Sequence, residues 1–298
     1  AFCDLAGNRA LAEDFIRAII GRTLERCPED MAFFDERIAP LHLAPLWEVF
    51  HALIPPQPHT PCVPCHWSYR AVRPHLLDSG ALISAREAER RVLILENPAL
   101  PGQSSVTHSL YAGLQLVLAG ETAPCHRHAQ SALRLIVEGR GAYTAVDGER
   151  AYMEPGDFIL TGAWSWHDHG NESPDPVVWL DGLDVPMLRF FDASFLERYP
   201  QELHPQTRPA GETQARFGAN LLPVGFRGET PHSPLFHYPY ARSREALERL
   251  RQQADREPHH GLRMAFANPV DGGSPLPTIS TGLQFLPKGF ASAPYRST

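Results

Sequence analysis

Gly113-Leu114-Gln115-Leu116-Val117-Leu118-Ala119-Gly120 returns far along the chain as Gly282-Leu283-Gln284-Phe285-Leu286-Pro287-Lys288-Gly289. Such a repeat constrains the fold more than any bulk property, because two copies of one pattern build the same local unit twice. Asn97-Pro98 upstream likewise returns as Asn268-Pro269, and after a one-residue shift Ala123-Pro124 matches Ala293-Pro294. The alignment then sets His126 against Arg296 and His128 against Thr298, the last residue given. Two related β-units are expected. Only the opening strands of the second are present, and that copy lacks the histidines of the first.

The texture around the first copy agrees. From Arg90 onward, short β-prone runs alternate with turn residues: Val92 to Leu95, Leu114 to Leu118, Leu133 to Val137, Ala142 to Val146, Phe158 to Leu160 and Val177 to Leu180. Strands at this spacing predict a sandwich or barrel. Asp147-Gly148 is a hairpin turn of the type that needs positive φ, and Pro155-Gly156-Asp157 is a second tight turn. Upstream, Leu11, Phe15, Ile19, Ile20 and Leu24 fall at helical spacing, so one amphipathic helix is expected over 9–27, stopped by Pro28. Leu46, Trp47, Phe50 and Leu53 predict a short helix before Pro55-Pro56. The Pro- and Gly-rich stretch from Pro200 to Pro239 reads as linker, followed by a helix over 243–253 capped by Ser243. The expected organisation is a helical arm at 1–84, a β-domain at 85–199, a linker with a short helix at 200–257, and the incomplete second β-domain at 258–298.

Composition closes off several function classes. Of 298 residues, 43% are hydrophobic and 20% charged, as in a globular protein. A net charge of −7 argues against a general nucleic-acid or membrane-surface binder, so any basic site must be local. No apolar run approaches the roughly 20 residues that span a bilayer. Five scattered cysteines point to a reducing, cytoplasmic setting. Cys62-Val63-Pro64-Cys65 has redox or zinc spacing but no partner motif, and Cys125 and His259-His260 also read as ordinary residues.

Histidine, by contrast, is clustered. His126-Arg127-His128 is expected at the start of a strand, where alternation puts both imidazoles on one face. Trp166-His167-Asp168-His169-Gly170-Asn171 follows after two hairpins. A third histidine brought across a small barrel turns a weak pair into a metal site. The arrangement resembles the cupin family: Gly120, His126, His128 and Gly139 fit its first motif, and His167 with Asn171 fits the end of its second. Where the family carries a ligand glutamate, counting back from Gly139 finds Ala132. His126, His128 and His167 thus form a three-histidine set without a carboxylate, suited to a borderline divalent metal such as Fe(II) with open coordination positions.

A longer likeness runs from about Arg37 to Thr298. It includes APLWEV, ISAREAERRVLILENPAL, LYAGLQL, PGDFILT, WSWHDHGN and VVWLDGLD, and it resembles the gentisate 1,2-dioxygenase family with its salicylate and 1-hydroxy-2-naphthoate relatives. The resemblance implies a mainly β bicupin of jelly-roll barrels with an N-terminal helical arm and a truncated second cupin. It implies one Fe(II) per chain in the first cupin, and assembly into a homo-oligomer, a tetramer. It also implies a role in aromatic catabolism. The expected partners are a small aromatic hydroxy acid and O2, with no nucleic acid and no membrane. The implied reaction opens the ring of gentisate between its carboxyl-bearing and adjacent hydroxyl-bearing carbons, giving maleylpyruvate, with salicylate or 1-hydroxy-2-naphthoate as alternative substrates. A non-catalytic cupin that senses a small acid is the alternative from another class.

A carboxylate substrate needs cations. Arg134 lies six residues beyond His128, so alternation is expected to point it to the same inner face. The resemblance adds Arg86 and Arg90 as anion-binding candidates, whose plain alternative is helix-surface pairing with Glu87 and Glu89. It also adds Gln115, His169 and Asp181 as polar contacts; the spacing of His169 from His167 is expected to put it on the metal-facing side as the proton-handling group, and Asp181 is expected to orient the site through hydrogen bonds. Tyr111 and Gly113 are expected to tune substrate choice. Trp179, like Trp164 and Trp166, either fills the barrel or walls the substrate.

Overall fold

The computed structural model describes residues 28–253 and 257–295. The helix expected over 9–27 and the positions Arg296 and Thr298 lie outside the described residues. Within the described residues the first helix, α1, spans Pro28–Ile38, and the expected stop at Pro28 lies at the edge of the described residues. The expected short helix is α2, Leu46–Leu53. By internal contacts one unit ends at His59 and a second runs Thr60–Thr298. No helix of the described residues is long and apolar enough to cross a membrane.

In the second unit, α3 (Tyr69–Leu82) and the single turn α4 (Ala85–Ala88) precede the β-structure. A capping box closes the start of α4, with Ser84 and Glu87 satisfying each other's backbone N–H. The strands are β1 (Val92–Ile94), β2 (Tyr111–Val117), β3 (Thr122–His128), β4 (Ala132–Glu138), β5 (Ala142–Val146) and β6 (Glu149–Tyr152). They continue as β7 (Phe158–Thr161), β8 (His167–Asn171) and β9 (Val177–Leu183), then, beyond helix α5 (Val185–Phe190), β10 (Leu196–Arg198). Helix α6 (Glu212–Phe217) and β11 (His237–Tyr238) interrupt the expected linker, and β11 pairs with β7. Helix α7 covers Tyr240–Gln253. Ser243 is therefore not its cap, and its hydroxyl donates back to the Pro239 carbonyl within the first turn.

Two antiparallel sheets result, one in the order β1-β2-β9-β4-β7-β11 and one in the order β10-β3-β8-β5-β6. The Asp147-Gly148 turn joins β5 to β6 with both residues at positive φ, 46° and 85°, as the primed hairpin turn requires. Period-two alternation assigns the faces. On β2, Leu114 and Leu116 turn outward and pack with Leu76 of α3 and Val178 of β9. Their neighbours Gln115 and Val117 are buried on the other face. One apolar cluster joins Ile136, Met153, Phe158, Ile159, Leu160 and Trp179 with Phe236 and with Leu276 and Ile279 from far along the chain. The second repeat forms a separate two-stranded sheet, β12 (Leu262–Ala265) with β13 (Gly282–Phe285).

Candidate metal centre and cavity

The His126-Arg127-His128 triplet ends β3 and does not start a strand as expected; a register shift between Ala123 and His126 re-aims the last turn of the strand. His126 stands directly opposite His167 of β8. The imidazole centroids are 4.6 Å apart for His126 and His167, 4.8 Å for His128 and His167, and 5.4 Å for His126 and His128. All three rings are buried, and their candidate ligand atoms lie within 4.8 Å of one another.

The donor chemistry fits a metal ion. Nδ1 of His128 is 2.9 Å from the Gln130 carbonyl and Nδ1 of His167 is 3.0 Å from the Ser165 carbonyl, which makes each Nδ1 a donor and leaves Nε2 as the lone-pair nitrogen. Nε2 of His167 is buried without a partner, an arrangement that costs free energy unless something occupies it. Nε2 of His126 has a single long contact, 3.4 Å to Arg90. Burial pulls His126 down to about 2 and His128 to about 4, and holds His167 well below the ordinary histidine value, so all three rings are neutral near pH 7, as ligation requires.

The histidines open on a cavity of about 170 Å³. Its other wall carries Arg90, Arg134, Asp181, Gln115 and Tyr111, with Val92, Leu183, Val185 and Leu196 as its apolar part. Cross-strand register explains the convergence: Arg134 of β4 faces Asp181 of β9, Asp181 faces Gly113 of β2, and Gln115 faces Trp179. Arg134 is 3% exposed, donates to Thr161 Oγ1 at 2.6 Å, and has its Nε 3.3 Å from Asp181 Oδ1. Arg90 donates to the Glu89 and Pro124 carbonyls. Burial and the charge of Arg134 pull Arg90 down to about 10, still protonated at neutral pH. Burial raises Asp181 to about 6 despite its cationic neighbour. One buried and one half-buried guanidinium facing one carboxyl group leave a cavity with surplus positive charge.

A cupin domain model matches residues 113–183. The chain is 52% identical over 265 residues to gentisate 1,2 dioxygenase 1 of Aquipseudomonas alcaligenes, covering 89% of this chain and 76% of that one. It is 40% identical to a gentisate 1,2-dioxygenase of a Ralstonia species, over 85% of this chain and 70% of that one. The chain belongs to the gentisate 1,2-dioxygenase family. Among solved structures, salicylate 1,2-dioxygenase of Pseudaminobacter salicylatoxidans superposes with a TM-score of 0.78 at 31% identity, covering 86% of this chain and 74% of that one. Its adduct with gentisate gives 0.79 over 86% and 72%. The fold is thus a mainly β cupin with N-terminal helices, in a family of ring-cleaving dioxygenases.

Other family-implied positions are placed less uniformly. Arg134 reaches the cavity by a route different from the expected one: β3 and β4 belong to different sheets, so alternation does not run from His128 to Arg134, and the chain reverses at Ala129–Ser131 between them. Arg86 is exposed on α4 and outside the cavity wall. Neither Arg86 nor Arg90 forms an ion pair with the carboxylate of Glu87 or Glu89: Glu87 caps α4, and Glu89 takes Arg198. His169 is fully buried behind the wall, its Nδ1 3.0 Å from Thr144 Oγ1 and its ring 5.7 Å from that of His167. Trp179 lies between, with its ring centroid 5.4 Å from that of His169 and its Nε1 donating to Asp181 at 3.1 Å. Gly113 leaves room for its neighbours, since a Cβ there would sit 2.4 Å from Val92 Cγ1 and 3.0 Å from the Tyr111 hydroxyl and would force one of them to shift. Asn171 of the family motif donates to the Val117 and Asp175 carbonyls and so holds the strand end. Thr161, Thr144 and Leu196 escape sequence reasoning, being small or apolar residues whose neighbours only the sheet order reveals.

Proposed function

We propose that the chain is an Fe(II)-dependent extradiol-type dioxygenase that opens the ring of gentisate with O2 to give maleylpyruvate, using one metal per chain held by His126, His128 and His167. The observation that carries this reading is the pairing, in one small cavity, of three neutral, buried imidazoles with the guanidiniums of Arg134, buried, and Arg90, half-buried. Iron bound there would supply the electronic link between an electron-rich aromatic ring and dioxygen.

The protein's own groups supply orientation. Arg134 and Arg90 bind the substrate carboxylate, each charge-assisted hydrogen bond being worth about 1.5–3 kcal/mol in a desolvated site. Gln115, whose buried Nε2 lacks a partner, donates to a substrate oxygen. Val92, Leu183 and Leu196 exclude water and lie against the ring, while Tyr111, with Gly113 beneath it, sets the space available to ring substituents. Asp181, raised to about 6, exchanges a proton with the bound hydroxy acid near neutral pH. His169 supports it from behind through Trp179. This chemistry is confined to the first cupin, 85–199, while 258–298 belongs to a second, metal-free copy.

Anaerobic loading with Fe(II), followed by oxygen uptake with gentisate, salicylate and 1-hydroxy-2-naphthoate in parallel, tests the reading. Uptake fastest with gentisate, with stoichiometric ring-opened product, is the expected result. Preference for another acid moves the substrate within the family. Acid binding without uptake converts the protein into a sensor.

A further inference from the structure

The opposite face of the ligand-bearing sheet carries a second, unassigned arrangement. Arg127, between the two histidines of β3, points away from the cavity by alternation. Its guanidinium carbon lies 4.4 Å from the ring centroid of Trp164 and 4.4 Å from that of Trp166. Its Nε and Nη2 donate to Glu197 of β10 at 2.8 and 2.6 Å. The two indoles belong to the loop that enters β8 and delivers His167.

That loop is tied to the histidines at two further points. The Trp164 backbone N–H donates to the carbonyl of His128 at 2.8 Å, and the Ser165 carbonyl accepts from His167 Nδ1. Trp164 holds φ at +66°, a region that bulky residues avoid and that persists only where surrounding contacts over-determine it. Here the over-determining contacts are Arg127 on one side and Phe195, with its ring centroid 4.6 Å away, on another.

We propose that Arg127, shared by Trp164 and Trp166, is a positioning residue that sets the spacing of His126, His128 and His167 from the outer face of the sheet. The inference rests on the metal reading above and deepens it. Arg127 spans the end of β3 and the loop before β8, so its guanidinium fixes the distance between the two ligand-bearing segments. The strained Trp164 backbone then locks His128 to the same loop. Lysine cannot replace it fully, because a compact ammonium lacks the planar face that two indoles share.

Co(II) is the probe, added to the metal-free full chain and measured by chelator competition and by its ligand-field absorption. Arg150 provides the control: it also lies over an aromatic ring, 3.9 Å from the Tyr143 centroid, and pairs with a glutamate, Glu172, but it touches no histidine of the site. Arg127→Met is expected to weaken Co(II) binding about 10- to 100-fold and to alter the absorption band. Trp164→Leu should follow in the same direction, Arg127→Lys should be intermediate, and Arg150→Met should change neither readout. If Arg127→Met does not fold, Arg127→Lys carries the test, and wild-type affinity and spectrum in that variant overturn the proposal. Wild-type protein that takes up no Co(II) removes the metal reading and the positioning role together. Normal Co(II) binding by wild type, with Arg127→Met no different from Arg150→Met, removes the positioning role alone.

Discussion

The two copies of the repeat share a sequence and diverge in everything that surrounds it. Gly120 and Gly289 both turn at positive φ, 74° and 78°, so the local backbone is reproduced. The strand before the turn is not used alike. β2 lies between β1 and β9 under the cover of α3, and five of its seven residues are buried. β13 pairs with β12 alone, and none of its four residues is fully buried. The matched glutamines record the consequence. Gln115 is 1% exposed with an unpartnered Nε2 on the cavity wall, whereas Gln284 lies on an exposed strand and donates to the His260 carbonyl. Local sequence makes the strand and the turn, but the neighbouring strands decide whether a side chain becomes part of a site.

His128→Ala gives the largest effect, because the second copy has no substitute ligand set among the described residues. Bound metal should fall from about one per chain to none, and oxygen uptake to background, by metal analysis and an oxygen electrode. Retained iron, or two metals in wild type, would falsify the one-site assignment. Next comes Arg134→Ala, which should weaken gentisate binding about 10- to 150-fold with metal content unchanged; anaerobic titration reads it directly.

Glu121 comes third, following the turn glycine where the second copy has Phe290. Burial alone would raise its carboxyl, but Arg91 and the N–H groups of Leu118 and Ala85 hold it below 4.5. A depressed carboxyl stabilises the fold above its unfolded value and loses that contribution as pH falls through the folded one. Wild type should therefore lose stability in acid below about pH 4.5. Glu121→Gln should be weaker near pH 7 by about 1.5 kcal/mol and flatter with acid; urea midpoints from pH 3 to 7 check both. The smallest effect sharpens the comparison most: Gln115→Leu should cost a few-fold in gentisate affinity, while Gln284→Leu should leave affinity unchanged and shift stability by less than about 0.5 kcal/mol.

Much of this was legible in the sequence for identifiable reasons. Strands such as Ala142–Val146 are short, apolar and bounded by turn residues, and Asp147-Gly148 fixes its own hairpin. The histidine pair is readable because alternation is a local property. What escaped is non-local. β8 is polar at four of five positions yet wholly buried: His167 and His169 face inward, while Asp168, on the other face, accepts from the His204 backbone N–H. Arg134 arrives through a change of sheet, β10 and β11 are too short to show a period, and the identity of Ser243 says nothing of a helix that begins at Tyr240.

Leu276 and Ile279, 1% and 8% exposed, belong to the main apolar cluster of the first barrel although they come from beyond its last strand in the chain. During synthesis that barrel must wait with an open flank. At roughly 5–20 residues per second, the ~100 residues separating Val177 from Leu276 take about 5–20 seconds to emerge. Throughout that interval Leu160, which lines one cavity with Leu276 and Phe236, lacks its final neighbours. Slowing translation between β9 and Leu276 should therefore lower the soluble yield without altering the finished protein, and a chaperone that shields apolar surface should restore it.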